Sequence, residues 1–264
     1  MRIAACVIIY HPDIELLHRN IAAFIDDVER VIIYRNSTEE LNLNEEWKCK
    51  TVFLGDGENH YMAQALNECF IYCRRQGYDY LLTMDQDSVW EDFHSFTETV
   101  SRHLSSDVVI YAPNINHQLS EDHDVVTIES AITSGSLHNV QVVQQLGGFR
   151  EDYKIYWVDG EFCHRARLAG YRILALPAYN MQQQFGHERR MAFGWLCADY
   201  TPTSYYYLFR NMLWMRREYS NHPSMKCICY TSIIYIRSIL FGEDHKWNKL
   251  KAVARGFRDG MLRH

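Results

Sequence analysis

Four apolar runs, interleaved with helix-like segments and each ending in polar residues, constrain this chain more than any other feature of its sequence. Ile3 to Tyr10 is apolar without alternation, the mark of a strand buried on both faces. His11-Pro12-Asp13 ends it, and Pro12 holds the residue before it in extended geometry. From Ile14 to Ile25, Leu16, Leu17, Ile21 and Phe24 recur at helical spacing. Val31 to Tyr34 is a second buried strand, stopped by Arg35-Asn36-Ser37; Thr51 to Leu54 is a third, running into the turn Gly55-Asp56-Gly57-Glu58-Asn59. Tyr61 to Arg75 reads as a helix with Ala63, Leu66, Phe70 and Cys73 inward, closed by Gly77. Tyr80 to Met84 is the fourth strand. The alternation predicts an α/β fold with a doubly wound, mostly parallel sheet. Right-handed crossovers would bring the polar strand ends to one edge, where such sheets bind ligands.

The fourth strand ends in Asp85-Gln86-Asp87-Ser88. Residues two apart on an extended chain point the same way, so Asp85 and Asp87 would converge just past the strand. Two hard oxygen ligands suit Mg²⁺ or Mn²⁺ held partly by substrate phosphates. Asp and Ser are equally ordinary turn residues, so the stretch alone leaves a plain polar turn open. There is no Gly-x-Gly-x-x-Gly fingerprint and no P-loop.

Further on, Glu91 to Leu104 reads as a helix, and Val108 to Ala112 and Val125 to Ile132 as strands. The second of these leads into the loop Thr133-Ser134-Gly135-Ser136-Leu137. Val140 to Leu146 is a short helix before Gly147-Gly148. Asp159 and Glu161 open a helix carrying His164, Arg165 and Arg167, and Tyr171 to Ala175 is a strand. Acids at a helix start are favoured by the helix dipole, which accounts for Asp159 and Glu161 without chemistry. A carboxylate turned into a cleft would instead serve as a general base.

Composition narrows the partners. From Phe209 to His264 eleven Lys and Arg stand against four Asp and Glu, a net +7, which leaves −13 on residues 1–208. An acidic body argues against nucleic-acid binding and leaves the basic tail to meet anionic lipid or an acidic partner. Eight cysteines show neither zinc spacing nor a disulfide framework, which fits free thiols in a reducing cytoplasm. The chain opens into a strand with no signal-peptide pattern. The expected location is cytoplasmic, at most peripheral on the inner face of the cytoplasmic membrane. Tyr230 to Phe241 and Trp247 to Met261 mix apolar, aromatic and basic residues. Membrane-interface contact and packing on the body are both open for them.

Taken in order, these segments resemble glycosyltransferase family 2, the inverting nucleotide-sugar enzymes of the GT-A fold, and within it the bacterial rhamnosyltransferase branch. The resemblance covers about the first 215 residues. Its carriers are Tyr10-His11-Pro12, Val31 to Ser37, Asn59 to Asn67, and Leu82 to Ser88 with its Asp-Gln-Asp-Ser. They continue with Thr133 to Leu137, Gly147-Gly148-Phe149, Tyr156, Asp159, Glu161, Cys163, Arg165, His187, and Tyr206 with Arg210-Asn211. Two departures lie on the nucleotide side: Arg35 stands where an aspartate is usual, and Tyr61 where a helix-start glycine is usual. They leave the base open.

The resemblance implies a GT-A domain over 1–215, with a nucleotide-sugar half (1–105) and an acceptor half (106–215), and a basic helical extension over 216–264. It implies Asp85, Asp87 and His187 as metal contacts and Asp159 as catalytic base. Tyr10, Pro12, Asn36, Asn59, Asp85, Gln86, Asp87, Ser134 and Gly135 would line the donor; Trp157, Glu161 and Arg165 would meet the acceptor. The expected reaction moves one sugar, rhamnose from dTDP-rhamnose being favoured, to a glycan or lipid-linked glycan in bacterial surface-polysaccharide synthesis. A UDP-hexose donor is the nearest alternative. A haloacid dehalogenase-type phosphatase would carry Asp-x-Asp on its first strand. A non-catalytic nucleotide-sugar binding protein would be expected to lose Asp87 or Asp159. Oligomeric state is not fixed by any of these patterns.

Overall fold

The structure is a computed structural model and describes residues 1–39, 41–183, 189–190, 196–220 and 222–262. It divides into two compact units, Met1–Asp152 with Val158–Gln183, and Tyr153–Trp157 with Gln184–His264.

The first unit is a sheet with helices packed on it. Its strands are β1 (Ile3–Ile9), β2 (Arg30–Arg35), β3 (Thr51–Leu54), β4 (Tyr80–Asp85), β5 (Val89–Trp90), β6 (Val108–Ile115), β7 (Val126–Thr127), β8 (Ser136–Asn139) and β9 (Arg172–Gln182). The helices are α1 (Ile14–Ala22), α2 (Glu45–Lys50), α3 (Tyr61–Gln76), α4 (Phe93–Arg102), α5 (Val140–Gln145) and α6 (Val158–Leu168). The strand order is β3-β2-β1-β4-β8-β6-β9-β5, with β7 beside β9. The parallel half matches the sequence expectation. Ile9 pairs with Arg35, and Ile8 with Asp85, so the ends of β1, β2 and β4 share one edge. Apolar side chains on both faces of these strands are buried, as their unbroken apolar runs require.

Four elements differ from the sequence reading. The antiparallel strand β8, between β4 and β6, begins within the stretch that reads as the loop Thr133 to Leu137. Its residues Ser136 and His138 are polar yet buried, so no apolar run announces it. The strand expected over Val125 to Ile132 shrinks to Val126–Thr127, while that expected from Tyr171 to Ala175 extends through β9 to Gln182. α2 fills what read as a short link; Asn44 caps it by accepting from the Trp47 amide at 2.8 Å.

The second unit is mainly helical, with a short antiparallel pair (Arg189–Arg190 and Leu196–Cys197) and with α7 (Pro202–Glu218), α8 (Met225–Gly242) and α9 (Lys246–Met261) around a core of Tyr205, Phe209, Met212, Ile228, Ile239 and Val253. The units part before α7, whereas the sequence pattern put the division after residue 215. Two glycines tie α7 to α9: a Cβ on Gly256 would stand 2.5 Å from the Tyr206 carbonyl, and one on Gly260 2.9 Å from Leu213. Small residues four apart let helix backbones approach this closely. In the same unit, buried Asn211 donates from Nδ2 to the carbonyls of Tyr153, Ile155 and Tyr156 at 2.8–2.9 Å.

Candidate active site

β4 carries Asp85 to the shared edge as its last residue, and the chain then turns through Gln86 and Asp87. The expected pleat geometry therefore does not hold, since only one of the two aspartates is on the strand. A turn brings them near instead. The Asp85 main chain is gripped on both sides: its N–H donates to Ser134 Oγ at 3.1 Å, and its carbonyl accepts from Asn20 Nδ2 at 2.5 Å. Its Oδ2 accepts from Gln183 Nε2 at 2.7 Å. Burial pushes the Asp85 carboxyl up to about 6; the charge of Asp87 adds to this, the Gln183 amide opposes it, and Asp159 adds a smaller push. Burial likewise raises Asp87 and Asp159.

Asp159 stands in the first turn of α6, where its Oδ1 accepts from the Gly160 amide at 2.8 Å. Asp85 registers the charge of both other aspartates, so two carboxylates from the β4 end and one from α6 share a neighbourhood. Such a cluster of raised carboxylates in the native state is a common mark of a functional site.

Ser134 and Gly135 stand beside the end of β4. Ser134 is buried and donates to Ser88 Oγ at 3.0 Å; Gly135 donates to the Thr83 carbonyl at 2.7 Å. Gly135 has φ +76°, and a Cβ there would collide with the Met181 side chain, so only glycine lets this loop lie against β4.

Several residues expected to touch ligand turn out to hold backbone. Gln86 exchanges two hydrogen bonds with the Tyr10 main chain, at 2.7 and 3.1 Å, locking the β1 end to the β4 turn. The Tyr10 side chain itself is half exposed and Pro12 partly buried. Asn36 is buried; its Oδ1 accepts from the His60 amide at 3.0 Å and its Nδ2 donates to the Tyr61 carbonyl at 3.2 Å. Asn59 Oδ1 accepts from the Tyr61 amide at 2.9 Å. Both asparagines fix the start of α3, where Tyr61 adopts φ +61° at the position that read as a missing glycine. Arg35 at the β2 end donates to the Gly55 carbonyl at 3.3 Å.

The acceptor-side expectations change more. Glu161 is fully buried and both its oxygens accept from Arg165 at 2.9 Å. Arg165 also donates to the carbonyls of Leu146 and Gly148. The pair is an internal tie between α6 and the turn after α5. Trp157 is partly buried and packs with Tyr156 against the apolar core of the second unit. His187 lies outside the described residues.

Two contributors escaped the sequence reading. Gln183, just past β9, is 98 residues from Asp85 and sits in no motif. Asn20 did leave a signal: it falls on the buried stripe of α1 beside Leu17 and Ile21, a polar group on an apolar face.

The donor chemistry fits a hard divalent cation. Asp85 and Asp87 supply carboxylate oxygens, and the Oε1 of Gln183 is buried without a hydrogen-bond partner. Among the described residues no three His, Cys, Asp or Glu side chains stand close enough to hold a metal ion alone. That suits Mg²⁺ or Mn²⁺, which take one or two carboxylates and complete their shell with water and phosphate.

No protein-family model matches the sequence, and no curated protein matches it. Solved structures do match the fold. GalNAc-T7 with UDP, GalNAc and Mn²⁺ superposes with a TM-score of 0.63 at 10% identity, over 100% of this chain and 56% of that one. The chain thus spans little more than half of that protein. The mannosyltransferase PcManGT from Pyrobaculum calidifontis, in complex with GDP-Man and Mn²⁺, matches with a TM-score of 0.58 at 13% identity, over 96% and 73% of the two chains. Residues 1–349 of S. aureus TarS match with a TM-score of 0.52 at 13% identity, over 98% and 71%. The fold is that of the GT-A glycosyltransferases.

Proposed function

We propose that this protein transfers a single sugar from a nucleotide-sugar donor to a glycan acceptor. The observation that carries the reading is the grouping of Asp85 and Asp87 at the end of β4 with Asp159 of α6 in this fold, the Asp85 carboxyl being raised by burial and further by the charges of the other two. The GT-A neighbours solved with UDP or GDP-Man and with Mn²⁺ support it.

In this reading Asp87 and Asp85 hold the donor end of the reaction. A bound Mg²⁺ or Mn²⁺ supplies positive charge against the leaving diphosphate. Ser134 and Asn20 hold Asp85 in place through its main chain, and Gly135 keeps the loop low enough for a donor sugar to approach. Asp159 takes the proton of an acceptor hydroxyl as that oxygen attacks the anomeric carbon; the bond to the diphosphate breaks on the opposite face, and configuration inverts. A raised pKa makes Asp159 a stronger base than a solvated aspartate, provided it is ionised at the working pH. The sequence resemblance favours rhamnose from dTDP-rhamnose, with membership of family 2 and a role in bacterial surface-polysaccharide synthesis.

The test is a donor screen. Purified protein with Mn²⁺ or Mg²⁺ is given dTDP-rhamnose and a panel of UDP- and GDP-sugars, and nucleoside diphosphate release is followed with and without EDTA. One donor should turn over only with metal. Asp87→Ala should abolish that turnover, and Asp159→Asn should lower kcat by about 10²–10⁴-fold. Donor-independent phosphate release would establish a hydrolase. Failure of every donor to bind in calorimetry, with metal present, would end the transferase reading.

A further inference from the structure

We propose that the exposed face of α8 seats this protein on an anionic lipid surface, with the helix lying in the plane of the interface. α8 is apolar on two sides. On one, Ile228 and Ile239 enter the core of the helical unit, and buried Ser238 donates to Glu243 Oε1 at 2.6 Å. On the other, Lys226, Tyr230, Ile233, Arg237, Leu240 and Phe241 fall within an arc of about 120°. Tyr230, Ile233 and Phe241 of that arc are 69%, 65% and 68% exposed. The helix has the length and composition of a membrane-crossing segment, yet only 17% of it is buried. An apolar stripe of this length left in water marks an interaction surface.

Charge selects the occupant. α8 contains no Asp or Glu, and two cations, Lys226 and Arg237, lie along the apolar arc itself. Exposed Lys246 and Lys251 follow in α9. The nearby acids are mostly spent: Glu243 is buried against Lys249 at 2.7 Å, and Asp259 pairs with Arg258 at 2.7 Å. Exposed Asp244 is the exception. A second copy of the chain would bring a basic stripe against a basic stripe in a two-fold contact, which is repulsive. Anionic headgroups above acyl chains complement both the lysines and the apolar arc. Tyr230 and Trp247 (77% exposed) have the amphipathic rings that settle at that boundary. Crossing the bilayer would require α8 to abandon the core contacts of Ile228 and Ile239, so the helix lies on the membrane rather than through it.

The test uses the full chain and vesicles of phosphatidylcholine with phosphatidylglycerol in equal parts, against phosphatidylcholine alone. Cosedimentation should be at least about tenfold stronger on the anionic vesicles and should weaken with added salt. Ile233→Asp combined with Phe241→Asp should reduce it about tenfold or more, with the far-UV circular dichroism unchanged. Should that variant misfold, tryptophan fluorescence decides: the native chain should shift to the blue on anionic vesicles, and Trp247→Phe should lose most of the shift. Absence of binding, equal binding to neutral vesicles or no spectral shift would overturn the proposal. So would salt-resistant insertion, or a lipid-free dimer dispersed by the same substitutions.

Discussion

At the scale of single residues, the most telling side chain outside the aspartates is His138. It lies on β8, buried among the rings of Phe70, Phe149 and Phe162. Burial lowers its pKa from an ordinary 6.5 to about 4, because the cationic form has no water there. The unfolded chain therefore takes up a proton between those values that the native state refuses. Stability from this site is complete above about pH 6.5 and falls as the pH drops toward 4, by on the order of 3 kcal/mol. Urea midpoints measured across that range should decline in the native protein, and His138→Phe should flatten the decline. An unchanged slope in the variant would mean the imidazole is not the group responsible. His138 itself was legible only as one histidine among thirteen, since its environment comes from three distant aromatic residues.

At the scale of elements, the contact of α7 with α9 depends on Gly256. An alanine there would gain about 1 kcal/mol of helix propensity. Its Cβ would also meet the Tyr206 carbonyl at 2.5 Å, and a backbone oxygen cannot rotate away. Overpacking should win, for a net loss of up to about 2 kcal/mol, the gross cost of about 1–3 being offset by about 1. Thermal denaturation of Gly256→Ala would show it as a lower midpoint; a higher one would mean the helices part without cost. The same contact holds α7 within the helical unit, whereas the sequence pattern places it in the domain over 1–215. The glycines that allow this close approach lie about 50 residues further along the chain, out of reach of any local pattern in α7. β8 was illegible for a different reason, its buried residues being polar and satisfied only by neighbouring strands.

At the scale of the whole molecule, charge is unevenly spread, with −13 on residues 1–208 and +7 beyond. Part of the negative excess sits in the candidate active site, where Asp85 feels the charges of Asp87 and Asp159. A cation that binds the native state and not the unfolded chain stabilises by mass action, about 2.7 kcal/mol at about a hundred times its Kd. Mn²⁺ should therefore raise the thermal midpoint, EDTA should reverse the rise, and Asp87→Ala should abolish it. Equal midpoints with Mn²⁺ and EDTA in the native protein would rule out a metal site at these residues.

The sequence by itself determined the parallel half of the sheet, because strands buried on both faces must be continuously apolar and such runs are visible in one dimension. It also located Asp85, Asp87 and Asp159, since carboxylates at the end of an apolar run or the start of a helix stand out locally. Tertiary structure decided what each polar side chain is occupied with. Asn36, Asn59, Gln86, Glu161 and Arg165 looked like ligand contacts, yet their hydrogen bonds go to the protein's own backbone or to each other. Gln183 reaches Asp85 from 98 residues away. A buried donor or acceptor must find a partner, and which partner is near depends on strands and turns that meet only once the chain has folded.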